Sequence, residues 1–369
     1  MRVIAAPDSF KGSITAADAA SALAVGWRSV RPNDQVIELP LADGGEGTLA
    51  VLAAALPGSR WHRVQVSGPG DDPVEAPWLE ISGNVAVTEL ATAAGLTQLQ
   101  ELKPLTAHSH GVGELIGHAL DAGMRRMVIT LGGSACTDGG SGALSALGAR
   151  FLDANGDRLE RGGGALTRLA AIDLTGLRPP PVDGVTCLTD VRATLLGPDG
   201  AAAMFGPQKG ASQQDVIVLE EGLKRLAGLL GGDPQAPGAG AAGGTGYGLA
   251  AAWGAALRPG AQEIAGIAGL PAALENADLV ITGEGQYDET SGTGKVTGSV
   301  LAAAARAGVR TTLVAGILSV PPPPGVRGVE LLALAGDLDR SLSDTSRWLA
   351  AAGRLLAVEE VPDGPIPAT

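Results

Sequence analysis

The chain has 369 residues, 45% of them apolar and 18% charged, which is material for about two domains with buried cores and argues against a disordered or coiled-coil chain. Lysine and arginine total 26 against 39 aspartates and glutamates, a net charge of −13 with no lysine-rich run, and only 3% of residues are aromatic. Both figures exclude a nucleic-acid binder, which needs basic surface and stacking platforms.

Glycine is the anomaly: 56 of 369 residues, about 15%, or roughly twice the usual usage. No three-residue period accompanies it, so the excess marks loops that need positive φ or close approach of backbone to a ligand.

Residues 3–6 predict a buried strand running into the polar loop Pro7-Asp8-Ser9-Phe10-Lys11-Gly12. Thr15, with Asp18 three residues later, reads as the N-cap of an alanine-rich helix reaching about residue 30. Residues 36–41 predict the next strand, followed by Ala42-Asp43-Gly44-Gly45-Glu46-Gly47-Thr48 and a helix to about residue 56. Such alternation implies parallel pairing with right-handed crossovers.

Runs 61–67, 74–81 and 85–90 have Gly, Pro and Asp between them and predict an antiparallel meander. A helix near 113–122 and a strand at 127–131 restore the βα rhythm before Gly132-Gly133-Ser134-Ala135-Cys136-Thr137-Asp138-Gly139-Gly140. Residues 185–189 form a strand into Asp190, 215–230 a helix, and the Gly/Pro/Ala-rich stretch 231–246 a long loop. In the last third, strands at 279–282, 312–315 and 329–333 alternate with helices near 298–307 and 344–357. Two N-terminal strands make no adequate sheet alone. The expected architecture is therefore α/β with two domains: residues 1–65 plus 271–369 form a discontinuous domain, and residues 66–270 are inserted into it.

The N-terminal apolar run is shorter than a signal-peptide core, and the best candidate for a span, near 312–335, is cut by Pro321 to Pro324 and by charges. A cytoplasmic protein that contacts neither membrane nor nucleic acid is expected. Cys136 and Cys187 are too few for a disulfide framework.

Five loops place charged residues among glycines at the carboxyl ends of apolar strands. They carry Asp8, Ser9 and Lys11; Asp43, Gly44, Gly45 and Glu46; Gly132, Gly133, Ser134, Asp138 and Gly139; Asp190; and Gly283-Glu284-Gly285 with Asp288 and Lys295. Ligands of open α/β sheets bind at those ends, and glycines let backbone N–H groups approach phosphate. Carboxylates there would repel phosphate unless a divalent cation bridges them, which suggests Mg²⁺ with a phosphorylated ligand. Taken singly, an Asp–Gly step is also ordinary turn chemistry. Lys209, in Phe205-Gly206-Pro207-Gln208-Lys209-Gly210, reads equally as a phosphate ligand or a solvated lysine.

Other motifs fail. Gly238-Ala239-Gly240-Ala241-Ala242-Gly243 matches a dinucleotide fingerprint but follows no strand, and Gly292-Thr293-Gly294-Lys295 lacks both the first Gly and the final Ser/Thr of a P-loop. His108 and His110 have no third soft ligand nearby, and Cys136 has no local base.

The strings Ala5-Ala6-Pro7-Asp8-Ser9-Phe10-Lys11-Gly12 and Leu41-Ala42-Asp43-Gly44-Gly45-Glu46-Gly47-Thr48 resemble the N-terminal signatures of the bacterial glycerate kinases of the type-1/class II family. Leu131-Gly132-Gly133-Ser134-Ala135 with Asp138-Gly139-Gly140, Phe205-Gly206-Pro207-Gln208-Lys209-Gly210-Ala211 and Ile281-Thr282-Gly283-Glu284-Gly285 resemble three more, in order, so the likeness runs from about residue 2 to 357. It implies ATP-dependent, Mg²⁺-assisted phosphorylation of D-glycerate, with 2-phosphoglycerate as product. It also implies a Rossmann or restriction-endonuclease-like domain made from both chain ends, with an inserted flavodoxin-like domain. The chain departs from the family pattern at Ala193 and Thr194, where Asn-Pro is usual, and at Thr137 and Thr290, where Asn and Gln are usual.

With the substrate expected in a cleft between the domains, Lys11 and Asp190 are the candidate catalytic residues. Lys11 would neutralise charge and Asp190 would orient the acceptor hydroxyl or take its proton. Asp8, Ser9, Asp43, Gly44, Gly45, Glu46 and Ser134 are candidates for the substrate. Gly132, Gly133, Asp138, Gly139, Lys209, Gly283 and Lys295 are candidates for ATP, and Glu284 and Asp288 for Mg²⁺. A kinase for another hydroxy acid and a non-catalytic nucleotide- or metabolite-binding regulator are the alternatives, and a homodimer is a candidate assembly.

Overall fold

The computed structural model describes residues 1–292 and 295–360. Contacts divide the chain into two compact units. Among the described residues the first comprises Met1–Asp43, Ala50–Pro57 and those between 261 and 360; the second comprises Gly44–Leu49 and Gly58–Gly260. The chain is thus α/β, and the first unit draws described residues from both its first and its last third.

The first unit is built on a five-stranded parallel sheet in the order Arg327–Glu330, Arg310–Leu318, Leu279–Tyr287, Arg2–Ala5, Gln35–Glu38. Val3, Ile4 and Ala5 are fully buried, as an apolar run in the interior of a parallel sheet must be. The helix Ala16–Arg28 begins as its sequence predicts, with the Thr15 side chain accepting from the amide of Asp18.

That helix packs against the helix Thr345–Glu359 so closely that side chains are excluded at the contact. A Cβ on Gly26 would lie 2.0 Å from the carbonyl oxygen of Ala350, and one on Gly353 would lie 2.3 Å from that of Leu23. Gly26→Ala is therefore expected to lower stability by about 2–3 kcal/mol through overpacking. Gly228→Ala, in the helix Gln213–Leu230 with open space around it, should raise stability by about 0.5–1 kcal/mol through helix propensity. Urea midpoints of the two variants test the contrast.

The second unit carries a six-stranded mixed sheet in the order Ala256–Arg258, Val185–Leu188, Arg126–Thr130, Val85–Glu89, Pro73–Ile81, Arg60–Ser67. The first four strands are mutually parallel and the last three form the antiparallel meander. A small hairpin, Arg150–Leu152 with Ala171–Asp173, was not evident from sequence.

Three local expectations change. Gly283-Glu284-Gly285 is strand, not loop: Leu279–Tyr287 continues through it, with Gly283 opposite Val314 and Glu284 opposite Ala315. A Cβ on Gly283 would stand 2.0 Å from the Val314 carbonyl oxygen, so glycine here marks close approach of a neighbouring strand. The strand expected at 329–333 stops at Glu330, and Leu331–Ala335 is helical. The expected long loop at 231–246 includes a 3₁₀ turn at Ala241–Gly244, and Thr245–Trp253 is a helix. Residues 239–246 are buried, and a Cβ on Gly243 would lie 2.1 Å from the Cys136 carbonyl oxygen. Glycine there serves packing.

Among the described residues no helix is long and apolar enough to cross a membrane.

Candidate functional site

A cavity of about 450 Å³ opens in the first unit at the carboxyl ends of its strands. Asp8, Ser9, Lys11 and Asp43 line it from the loops after the first two strands, and Glu284, Asp288 and Lys295 from the strand Leu279–Tyr287 and the residues after it. Seven of the sequence candidates, from three distant stretches of chain, thus meet on one cavity.

The Asp8 loop is fixed by backbone. The Asp8 amide donates to the carbonyl of Gly283 at 2.8 Å, and the Ser9 amide donates to Asp8 Oδ1 at 2.6 Å. Gly283, expected at the cofactor, is buried and holds Asp8 instead. Burial, then the nearby Asp43 carboxylate, and less strongly Glu284, push the Asp8 carboxyl up to about 7. The Ser9 amide and Lys11 pull the other way and lose.

Glu284 is 7% exposed, and burial raises its pKa above the ordinary carboxylate range although the Thr297 and Ser291 hydroxyls and Lys295 favour the anion. Its Oε1 is buried without a well-formed hydrogen bond, as is Thr297 Oγ1. Asp288 is differently placed. Its Oδ1 accepts from the amide and hydroxyl of Thr290 at 2.8 and 2.6 Å, which holds its pKa low, and Lys295 Nζ lies 3.8 Å away. Thr293 and Gly294 of the partial P-loop lie outside the described residues.

An oxygen-lined, carboxylate-rich pocket with an orphaned Glu284 oxygen suits a hard cation. Mg²⁺ is held by one or two carboxylates plus substrate phosphates, so a ready-made cage of three side chains is not required. Among the described residues no group of three His, Cys, Asp or Glu is gathered closely enough to form one.

The remaining candidates lie in the second unit. Gly44 and Gly47 have φ of +86° and +88°, and the turn between them lies against Gly132 and Gly133: a Cβ on Gly132 would lie 2.8 Å from Gly45 Cα, and one on Gly133 would lie 2.4 Å from Glu46 Oε1. Of the loop 132–140, Gly133 is exposed and Gly132 partly so, and the rest is buried. Asp138 faces inward, its carboxylate accepting from the amides of Ser109, Gly140 and Gly142 and from the Ser109 hydroxyl. Gly139 is buried too, its amide donating to Gly243.

Lys209 is neither solvated nor offered to a ligand. It is 2% exposed, and its ammonium donates to Ser134 Oγ at 2.9 Å, the Cys136 carbonyl at 2.5 Å and Thr137 Oγ1 at 3.5 Å. Burial lowers its pKa. Asp190 is exposed and accepts from the Gly260 amide at 3.0 Å, where the helix Gly260–Ile267 begins.

Sequence reasoning missed Glu89. It ends the strand Val85–Glu89, is 5% exposed, and its Oε1 accepts from the Leu49 amide at 2.7 Å. Its pKa is raised by burial, against the pull of amides at Leu49, Gly47 and Thr48. It therefore anchors the turn that carries Gly44, Gly45 and Glu46. An acidic residue closing an apolar strand was the available signal. Cys136 is buried, and burial pushes its thiol up to about 12, so it is an unreactive core residue.

The family model of the glycerate kinase family matches residues 3–357. The chain belongs to the glycerate kinase family. It is a kinase enzyme.

Relatives include glycerate 2-kinase of Escherichia coli K12, 41% identical over 305 residues and 80% of each chain, and glycerate kinase of Bacillus subtilis 168, 42% identical over 331 residues and 86% of each chain. A crystal structure of a Salmonella typhimurium LT2 protein, provisionally named glycerate kinase 2, superposes with a TM-score of 0.86 at 38% identity, covering 97% of this chain and 98% of that one.

Proposed function

We propose that this protein phosphorylates D-glycerate from ATP with Mg²⁺, giving 2-phosphoglycerate. The observation that carries this function is the meeting of Asp8, Lys11, Asp43 and Glu284 on one cavity of the first unit. Those residues come from three of the strings that mark the family. A cytoplasmic location and a candidate homodimer belong to the same reading.

Phosphoryl transfer asks little covalent chemistry of protein; positioning and charge neutralisation supply most of the rate. Lys11 is exposed at the cavity and free to meet an anionic oxygen of either substrate. Asp8 is the better-placed proton acceptor. It lines the cavity and is poised near neutrality, whereas Asp190 lies in the second unit against the Gly260 amide. Glu284 and Asp43 would hold Mg²⁺, which supplies charge neutralisation on the transferring phosphoryl group. Asp288 orders the Thr290 turn beside them. Gly132 and Gly133 remain the stretch of the second unit's glycine loop whose backbone reaches solvent.

Steady-state assays with D-glycerate, L-glycerate and related hydroxy acids plus Mg-ATP, with the product resolved as 2- or 3-phosphoglycerate, test the function. The expected result is a kcat/KM for D-glycerate at least about a hundredfold above the other acids, as a site built to hydrogen-bond its substrate's hydroxyls discriminates. Preference for another acid, or binding without turnover, would replace the assignment.

A further inference from the structure

The lining of the first unit's cavity is chemically mixed. Asp8, Lys11, Asp43, Glu284, Asp288 and Lys295 share it with the aliphatic Ile317, Leu331, Leu338 and Leu342 and with the hydroxyl residues Ser341 and Thr345. Leu338 and Leu342 are 44% and 53% exposed, and lie one turn apart on the helix Leu338–Ser343, whose start is fixed by Asp337 accepting from the Arg340 amide. Two exposed leucines on the wall of a charged cavity present apolar surface that water covers poorly.

At about 450 Å³ the space equals roughly fifteen waters at ~30 Å³ each, well beyond what a three-carbon acid fills. Such an acid, all oxygen at its edges, has nothing to place against leucine. A nucleoside triphosphate has both parts: a flat apolar base and a polyanion. We infer that the aliphatic part of this lining, Ile317, Leu338 and Leu342 over the fully buried Leu331, is the subsite for the nucleoside of the phosphoryl donor, with its phosphates directed toward Lys11 and Lys295. The placement rests on the phosphoryl transfer proposed above and adds where the donor's base lies.

The base is therefore gripped chiefly by shape and apolar contact.

Leu338→Ser and Leu342→Ser, singly and together, test the subsite. Both side chains are largely exposed, so melting temperatures should move little. The double variant is expected to raise KM for ATP, and the Kd of adenosine measured by calorimetry, by about tenfold or more, the scale of lost apolar pocket contacts. KM for glycerate should stay within about twofold, and inhibition by inorganic tripolyphosphate, which carries no base, should be unchanged. A rise in KM for glycerate with the ATP value unmoved would give the wall to the acceptor and overturn the inference. So would unchanged nucleotide and adenosine affinities. Were the wild-type chain to turn over no glycerate, the proposed function would fail, while adenosine binding by wild type and variants would still decide the subsite.

Discussion

Replacing Asp8 by asparagine is expected to lower kcat by about 10²- to 10⁴-fold, the usual contribution of a positioned proton acceptor, while leaving the fold intact. Asp8 sits in the cavity of the first unit with its carboxyl pushed up to about 7, chiefly by burial and then by Asp43. An acceptor must be ionised, so wild-type kcat/KM should rise with pH and flatten once Asp8 is ionised, with the limb moving below about 7 as Mg²⁺ on Asp43 and Glu284 offsets their charge. The kcat/KM profile reports the free enzyme's group. In Asp8→Asn that acid limb should vanish.

Stability should move the other way. In the folded chain the Asp8 carboxyl holds its proton up to about 7, against 3.8 as its ordinary value. The stability this protonated group allows is therefore complete below pH 3.8 and is lost as pH rises through 7. At pH 8 the wild type bears a cost of up to about 4 kcal/mol for a buried anion, which asparagine removes. Asp8→Asn should therefore melt higher than wild type at pH 8, with the gap closing toward pH 4. A variant that keeps wild-type kcat and the acid limb would return the proton-acceptor role to Asp190, for which Asp190→Ala is the direct comparison.

Lys209→Ala should cost about 3–5 kcal/mol of stability, from the volume lost in a packed interior and the oxygens left without donors. The ammonium is 2% exposed and serves Ser134, the Cys136 carbonyl and Thr137 together. Those three residues lie on the glycine loop that begins at Gly132, so the loss should loosen that loop as well. Lys209→Met, which keeps most of the volume, should cost less. Urea unfolding and ATP titration separate the two roles. Wild-type stability with abolished nucleotide affinity would restore Lys209 as a phosphate ligand; a collapsed stability shows an internal strut.

Chain chemistry alone was enough for Thr15 to cap its helix, because a β-region hydroxyl meeting the third amide is a local event. The alternation of short apolar runs with helices was equally local, and it led to a parallel sheet. The uncommon strings around Asp8 and Asp43 were enough to name the family. What could not be read was where each glycine or charged side chain faces. Gly283 looks like a turn residue by propensity, but a neighbouring carbonyl 2.0 Å from its absent Cβ makes it a strand residue. Lys209 looks like surface, and three oxygens around its buried ammonium make it core. Glu89 looks like the polar end of a strand, and a helix-entry amide forty residues earlier in the chain makes it an anchor. Propensity and pattern depend on neighbours along the chain and so survive in a sequence. Burial and partner choice depend on residues tens to hundreds of positions away, and those are settled only when the sheets are assembled.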